Sequence, residues 1–200
     1  MKFSKSLLAA AVAAASFGAN AEIETSTYVD IASQFLDRGQ VSGDAAVMAG
    51  VGFETEFGVY AGIDAIASGF NEVDYVLGYA GEFGGVGFDI AYADLNFPSA
   101  QGAGDAEEIL AEVGLGDFTM FYATGLTDGA NDDYDYYSLS YGYEDWTFTY
   151  GVESAGDPAG DDKYSHVNID YAFSDQITLT GVVPVDSEAN SNAGGNDELQ

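Results

Sequence analysis

From residue 22 onwards, apolar and polar side chains alternate along the chain in short runs. In the stretch VGFETEFGVYAGIDA (51–65), apolar residues occupy most alternate positions, and glycine or a carboxylate lies between them. A period of two residues is typical of β-strands that present one apolar and one polar face. Breaks rich in Gly, Asp and Asn separate the runs, so the pattern predicts an all-β chain.

The alternation predicts eleven strands joined by turns that alternate between short and long. Segment 106–115 is also rich in helix formers, so a helix remains open there beside the favoured strand. The length of each short turn agrees with the phase of the apolar residues on either side, which indicates an antiparallel meander. The predicted strands are 26–37, 45–54, 59–69, 72–82, 86–96, 106–115, 118–125, 134–143, 146–154, 164–173 and 177–186, and the long acidic loops are about 97–106, 126–134, 154–163 and 187–200.

The length and composition of these strands favour a membrane protein. Strands of about 9–11 residues cross a bilayer at ~45° tilt, and they exceed the ~5–6 residues typical of globular strands. In lipid every backbone amide must be paired, so a spanning sheet has to close. We therefore expect residues 22–200 to form a single domain, an antiparallel up-and-down transmembrane β-barrel. Bacterial barrels are even-numbered, so we expect twelve strands, with the last one missing from this chain; a strand split or merged in the count of eleven is the open alternative. The alternative is a secreted soluble β-sandwich.

The N-terminal segment and the charge narrow the functional classes. Residues 1–21 have Lys2 and Lys5, an apolar run and an Ala-Asn-Ala end, which is the layout of a cleaved signal peptide. Its removal would take the formal net charge from −30 to −32 and leave Arg38 and Lys163 as the remaining Lys or Arg. Such an acidic chain is not expected to bind nucleic acid. It has no cysteine, which excludes disulfides and thiol chemistry.

The polar phase of the strands supplies candidate lumen residues. Carboxylates facing a channel favour cations and disfavour anions. Arg38 shares the predicted inward phase of Asp30, and we expect it to form a buried salt bridge that fixes the barrel wall or a loop. The same bridge could also set the width of the lumen. The lumen or selectivity candidates are Arg38, Asp30, Asp64, Asp74, Asp89, Glu112, His166 and Asp170.

Aromatic residues cluster at strand ends, as in the girdles of outer-membrane barrels. The girdle candidates are Tyr134, Tyr136, Tyr143, Trp146 and Tyr164. His166 is the only histidine, and Ser165 points to the opposite face, so no nucleophile–base pair is expected and we predict no enzymatic activity. A barrel-embedded lipid hydrolase is the enzymatic alternative. We expect His166 to pack or hydrogen-bond in the lumen, and His166→Ala to leave folding and permeability nearly unchanged.

Two loops carry several carboxylates that hard cations such as Ca²⁺ accept as ligands. Neither loop has the spacing of an EF-hand, so we predict no cofactor, and a solvated acidic rim is favoured over bound Ca²⁺. The weak Ca²⁺ candidates are Asp128, Asp132, Asp133, Asp157, Asp161 and Asp162.

Over roughly residues 26–186 the chain resembles the TorF-family porins of the Gram-negative outer membrane. The resemblance is carried by Phe35, Arg38 and Gly39 at the end of the first strand, by Gly58–Gly62, and by the stretch EVDYVLGYAGEFGGVGFDIAYADLNFP that closes on Pro98. The missing terminal strand and the more acidic loops depart from that family. The resemblance implies an outer-membrane location and a porin-like role.

We therefore expect a channel for passive diffusion of small solutes with a preference for cations, with outer-membrane lipid and those solutes as its partners. A non-conducting structural barrel and a soluble binding module are the alternatives. The oligomeric state does not follow from the sequence.

Overall fold

The structure, a computed structural model, describes residues 22–98, 106–126, 134–155 and 163–187. Within these ranges it contains thirteen β-strands, and no helix there is long and apolar enough to cross a bilayer. Segment 1–21, expected to be a signal peptide, lies outside the described residues, as do most of the long acidic loops. The strands are β1 (Ile23–Ala32), β2 (Phe35–Asp37), β3 (Gln40–Gly43), β4 (Ala46–Thr55), β5 (Val59–Ala67), β6 (Asn71–Phe83), β7 (Val86–Asn96), β8 (Ala106–Leu115), β9 (Phe118–Gly125), β10 (Tyr134–Tyr143), β11 (Trp146–Ala155), β12 (Lys163–Ser174) and β13 (Ile177–Ser187).

Eleven of these strands form one antiparallel sheet, in which the strands pair in their order along the chain with β2 and β3 left out. The order is β1-β4-β5-β6-β7-β8-β9-β10-β11-β12-β13, and β2 and β3 pair with each other as a separate hairpin. The prediction of an all-β antiparallel chain is therefore confirmed. Within the described residues no ladder joins β1 to β13, so the sheet has two free edges.

Two segments show how the sequence pattern maps onto the sheet. Residues 106–115 form a strand that pairs with β7 on one side and β9 on the other, which decides the open choice between strand and helix. The predicted first strand (26–37) needs a correction, because β1 ends at Ala32 and the chain continues into the hairpin of β2 and β3. The alternation continues past Ala32, but the chain leaves the sheet there.

The alternation places large apolar residues on one face of the sheet, which we call the outer face. These side chains remain exposed although they are large and apolar. Examples spread over the whole sheet are Val29, Val47, Val59, Tyr79, Ile90, Val113, Met120, Leu139, Tyr150, Ile169 and Leu179. The opposite face, which we call the polar face, carries most of the glycines and most of the carboxylates of the alternation.

The buried apolar residues do not form the core of a sandwich. Among the described residues, the buried hydrophobic side chains are four alanines and Tyr136. A β-sandwich requires large side chains from two sheets to interdigitate. The described part of the chain therefore lacks the apolar core that a soluble sandwich needs.

Three side chains on the polar face cross a glycine to reach the second strand along, an arrangement we call the tyrosine crossbars. Tyr28 of β1 passes over Gly50 and donates to Asp64 at 2.7 Å. In the same way Tyr60 of β5 passes over Gly78 and donates to Asp89 at 2.8 Å. The third is Tyr136 of β10, which lies over Gly151 and contacts His166 Nε2 at 3.2 Å. Each glycine leaves room for the ring above it.

Candidate functional site: the hairpin on the polar face

The hairpin of β2 and β3 is turned by Arg38 and Gly39. Both have positive φ, 48° and 76°, and a two-residue loop with positive φ at both positions is a type I′ turn. Glycine adopts this conformation freely, whereas an arginine in the left-handed region costs about 1–2 kcal/mol. Contacts made by the Arg38 side chain must therefore offset this cost.

Arg38 is held by a carboxylate and by two aromatic rings. Its Nη2 donates to both carboxylate oxygens of Glu108 at 2.8 Å. The guanidinium carbon lies 4.8 Å from the ring centroid of Tyr134 and 5.6 Å from that of Tyr136. The side chains of Arg38 and Glu108 are only 16% and 6% exposed. Ion pairs and cation–π contacts are stronger when they are shielded from water in this way.

The charge state of Arg38 follows from the same surroundings. Burial alone would lower the pKa of Arg38, but the negative charges of Glu108 and Asp37 outweigh it and raise the pKa above its ordinary value. Arg38 therefore stays protonated across the accessible pH range.

Further contacts join the hairpin tip to β11 and β12. Tyr164 donates from its hydroxyl to the carbonyl oxygen of Gly39 at 2.7 Å. Gln40 donates from Nε2 to Glu153 at 3.2 Å. The imidazole of His166 lies so close to Gly39 that a side chain at position 39 would overlap it. We call the hairpin tip and its partners the hairpin cluster; it comprises Arg38, Gly39, Gln40, Glu108, Tyr134, Tyr136, Glu153, Tyr164 and His166.

These contacts indicate that the sheet curves toward its polar face. Residues 38–40 touch β8, β10, β11 and β12, although β8 and β12 lie four strands apart in the sheet order. Four strand spacings amount to about 19 Å along a flat sheet. Three consecutive residues and the side chains that meet them connect all of these strands, which indicates that the strands converge around the hairpin tip. The polar face is therefore concave, and the outer face is convex.

His166 is completely buried within this cluster. Its ring lies nearly parallel to those of Tyr136, with centroids 6.0 Å apart, and of Tyr164, at 5.7 Å. Its Nδ1 lies 2.8 Å from Asn168 Oδ1. Because that oxygen can only accept, Nδ1–H is the donor, and Nε2 accepts from the Tyr136 hydroxyl. The expected packing and hydrogen-bonding role agrees with this environment, but an alanine at position 166 would leave a cavity here.

The expectation that His166→Ala leaves folding unchanged is therefore revised. We expect His166→Ala to lower the free energy of unfolding in detergent by about 2–4 kcal/mol, from the cavity and two lost hydrogen bonds. Urea titration of refolded protein measures this change. Thr178→Ala, at an exposed position of β13, is the control and should change the free energy by less than about 0.5 kcal/mol. Equal unfolding midpoints for the two variants would contradict the burial of His166.

The aromatic girdle prediction needs a partial correction. Tyr143 and Trp146 are exposed beside a short turn, and a girdle role for these two stays a prediction. Tyr134, Tyr136 and Tyr164 instead contact Arg38, His166 and Gly39 on the polar face. They share the polar phase of their strands, so their position near strand ends did not decide which way they point.

The other lumen candidates share the polar face but stand outside the hairpin cluster. Asp64 and Asp89 accept from the tyrosine crossbars, and Asp170 accepts from Thr180 at 2.6 Å. Asp89 and Glu112 face each other across β7 and β8. Asp30 and Asp74 lie on β1 and β6 on the same face. The structure thus spreads these carboxylates over the concave face and brings only Arg38 and His166 of the candidates into the cluster.

Two acidic residues of the cluster, Glu108 and Glu153, were absent from the sequence candidates. Glu108 has the same strand parity as Glu112, so the alternation could have indicated it. Glu153 follows Thr149 and Gly151 in the polar phase of β11 and could have been found in the same way. Their common contact with the hairpin tip could not be found in this way, because nothing in a local pattern indicates that the tip reaches β8 and β11.

The described residues contain no group of three or more His, Cys, Asp or Glu arranged to hold a metal ion. The weak Ca²⁺ candidates Asp128, Asp132, Asp133, Asp157, Asp161 and Asp162 all lie outside the described residues. The expectation of no cofactor and the disfavoured alternative of loop-bound Ca²⁺ therefore both stay predictions.

Comparison of the chain with protein family models, with curated proteins and with solved structures found no match.

Proposed function

We propose that the chain forms a β-barrel in the outer membrane of a Gram-negative bacterium and acts as a channel for passive diffusion of small solutes. The observation that carries this proposal is the contrast between the two faces of the sheet. Large apolar side chains remain exposed on the convex face, where lipid would cover them, and carboxylates line the concave face. Outer-membrane barrels have this arrangement of an apolar exterior and a polar interior.

Strand direction bears on how such a barrel closes. Each neighbouring pair of strands in the sheet is antiparallel, so β1 and β13 run in the same direction. One further strand between these two edges would make antiparallel ladders on both sides. This supports the expected twelve-stranded barrel over closure by eleven strands.

The first test of the proposal is whether the protein forms a barrel. Protein refolded in detergent should migrate differently on a gel when unboiled and when boiled, because a closed barrel resists the detergent until heated. A single migration at both temperatures, together with solubility in the absence of detergent, would favour a secreted soluble domain.

The charge on the polar face gives the channel a preference for cations. Asp30, Asp64, Asp89, Glu112 and Asp170 lie on this face, and the one guanidinium there is paired with Glu108. Carboxylates lining a pore lower the energy of cations and raise that of anions.

The preference is tested in planar bilayers under a KCl gradient. We expect a reversal potential that favours K⁺, and we expect the double variant Asp30→Asn/Glu112→Gln to reduce it. Both side chains are exposed, so the fold should tolerate the change to within about 0.5 kcal/mol. Asp175→Asn, in the turn after β12, is the matched control and should leave the potential unchanged. A potential favouring chloride would contradict cation preference.

A second candidate function is a structural barrel that does not conduct. It is favoured by the hairpin cluster, which lies across the concave face where solutes would pass. The same bilayer recordings separate the two functions: stable single-channel steps support the channel, and their absence from protein with a heat-modifiable barrel supports the structural role.

A further inference from the structure

The residues around Arg38 have the composition of a binding site for a guanidinium group. Glu108 presents both carboxylate oxygens at 2.8 Å, and two tyrosine rings lie at 4.8 and 5.6 Å from the guanidinium carbon. A carboxylate together with aromatic faces is the combination that recognises guanidinium, which is planar and weakly hydrated. Ammonium is a compact and strongly hydrated charge, and it fits such a site less well.

The walls of this site belong to the sheet, and its occupant belongs to the hairpin. Glu108 lies on β8, and Tyr134 and Tyr136 lie on β10. Glu108 is flanked across its ladders by Ala93 and Gly125, two small residues that leave room beside the carboxylate. The site is therefore built by strands that are already fixed in the sheet, whereas Arg38 enters it at the tip of a separate hairpin.

The buried carboxylate of Glu108 favours the binding of a cation in this site. The side chain of Glu108 is only 6% exposed, and a carboxylate buried without a cation is strongly unfavourable. After the expected signal segment, Lys163 is the only other Lys or Arg in the chain, and its side chain is exposed on β12. When Arg38 leaves the site, a cation from solution is the natural replacement.

We propose that Glu108, Tyr134 and Tyr136 form a binding site for a solute that bears a guanidinium group, and that Arg38 fills this site in the structure as a tethered competitor. The inference goes beyond the channel and does not depend on it, because binding in detergent is observable whether or not the protein conducts.

The test is a titration of refolded, full-length Arg38→Ala with methylguanidinium, followed by thermal unfolding. We expect a saturable rise in melting temperature of roughly 3–6 °C at about ten times the dissociation constant. Methylammonium and urea at equal concentration should produce less than a third of this rise. Wild-type protein should require at least tenfold more methylguanidinium, because Arg38 competes for the site.

The control is the double variant Arg38→Ala/Glu108→Gln, which keeps the rings and removes the charge. It should lose the response to methylguanidinium. An equal response in the double variant, an equal response to methylammonium, or binding to the wild type as tight as to Arg38→Ala would overturn the proposal.

Arg38→Ala could refold poorly because it leaves Glu108 unpaired. In that case the yield of heat-modifiable protein becomes the measurement, and methylguanidinium should raise it severalfold over methylammonium. If neither cation restores folding of Arg38→Ala, the titration is carried out on Tyr164→Phe. This change removes the hydrogen bond to Gly39 and leaves the site intact, so methylguanidinium should bind several times more tightly than to the wild type. No gain in affinity would overturn the proposal.

Discussion

Replacing Gly78 with valine is expected to lower the free energy of unfolding by about 3–5 kcal/mol. A side chain at position 78 would overlap the ring of Tyr60, which passes over this glycine. The ring would have to move and would lose its 2.8 Å hydrogen bond to Asp89. The cost therefore combines overpacking with the loss of a hydrogen bond to a charged group. Urea titration of the refolded variant in detergent measures it.

The matched control is Gly62→Val on the neighbouring strand. A Cβ at Gly62 would meet Val51 O at 3.6 Å and Asp64 Oδ2 at 3.9 Å, which are ordinary contacts. We expect this substitution to cost less than about 1 kcal/mol, since β-branched residues suit strands. Two equal losses would show that valine on the polar face is harmful in general, and that the contact of Tyr60 with Gly78 is not the cause.

A double-mutant cycle isolates the crossbar itself. Tyr60→Ala removes the ring that valine would strike, so Tyr60→Ala/Gly78→Val should be more stable than the sum of the two single changes predicts. Contacting residues typically couple by about 0.5–3 kcal/mol. Strict additivity would mean that Tyr60 does not lie over Gly78.

Arg38→Ala is expected to raise single-channel conductance and to destabilise the protein by about 3–5 kcal/mol. The loss of stability arises because Glu108 keeps its buried charge without a partner. The rise in conductance follows from the proposed channel, since the hairpin tip loses its ion pair and its contacts with Tyr134 and Tyr136. Bilayer recordings and urea titration measure the two effects separately.

Lys163→Ala is the control for the loss of one positive charge. Lys163 is the other cation left after the expected signal segment, and its side chain is exposed. Exposed charges contribute little to stability, so neither conductance nor unfolding should change appreciably. An unchanged conductance in Arg38→Ala would place the hairpin outside the conducting path and would favour a channel whose bore lies elsewhere on the polar face.

The ladder of the sheet could be predicted from the sequence because its signals are local. Alternation assigns each residue to a face, and turn length relates the phase of one strand to that of the next. The strand at 106–115 shows the limit of this reasoning, since Ile109, Leu110 and Val113 also suit a helix. Pairing with both β7 and β9 decides that segment, and neither partner is visible in a local window.

The hairpin cluster could be predicted only in fragments. The phase of the first predicted strand placed Arg38 on the inward side, and a bridge was expected for it, but its partner Glu108 lies 70 residues away. Tyr136 and Tyr164 were expected to face outward because tyrosine suits membrane interfaces. Their hydroxyl groups also suit a buried polar cluster, and the strand phase, which places both on the polar face, was the better guide.

The separation in sequence between the hairpin tip and its partners has a consequence for the order of folding. The ladders of the main sheet join strands that follow one another, apart from the short detour of β2 and β3, and such contacts close short loops. The bond from Tyr164 to Gly39 instead spans 125 residues. Docking of the hairpin must wait until β12 has arrived, so we expect it to follow the ladders between consecutive strands and to be slower than they are.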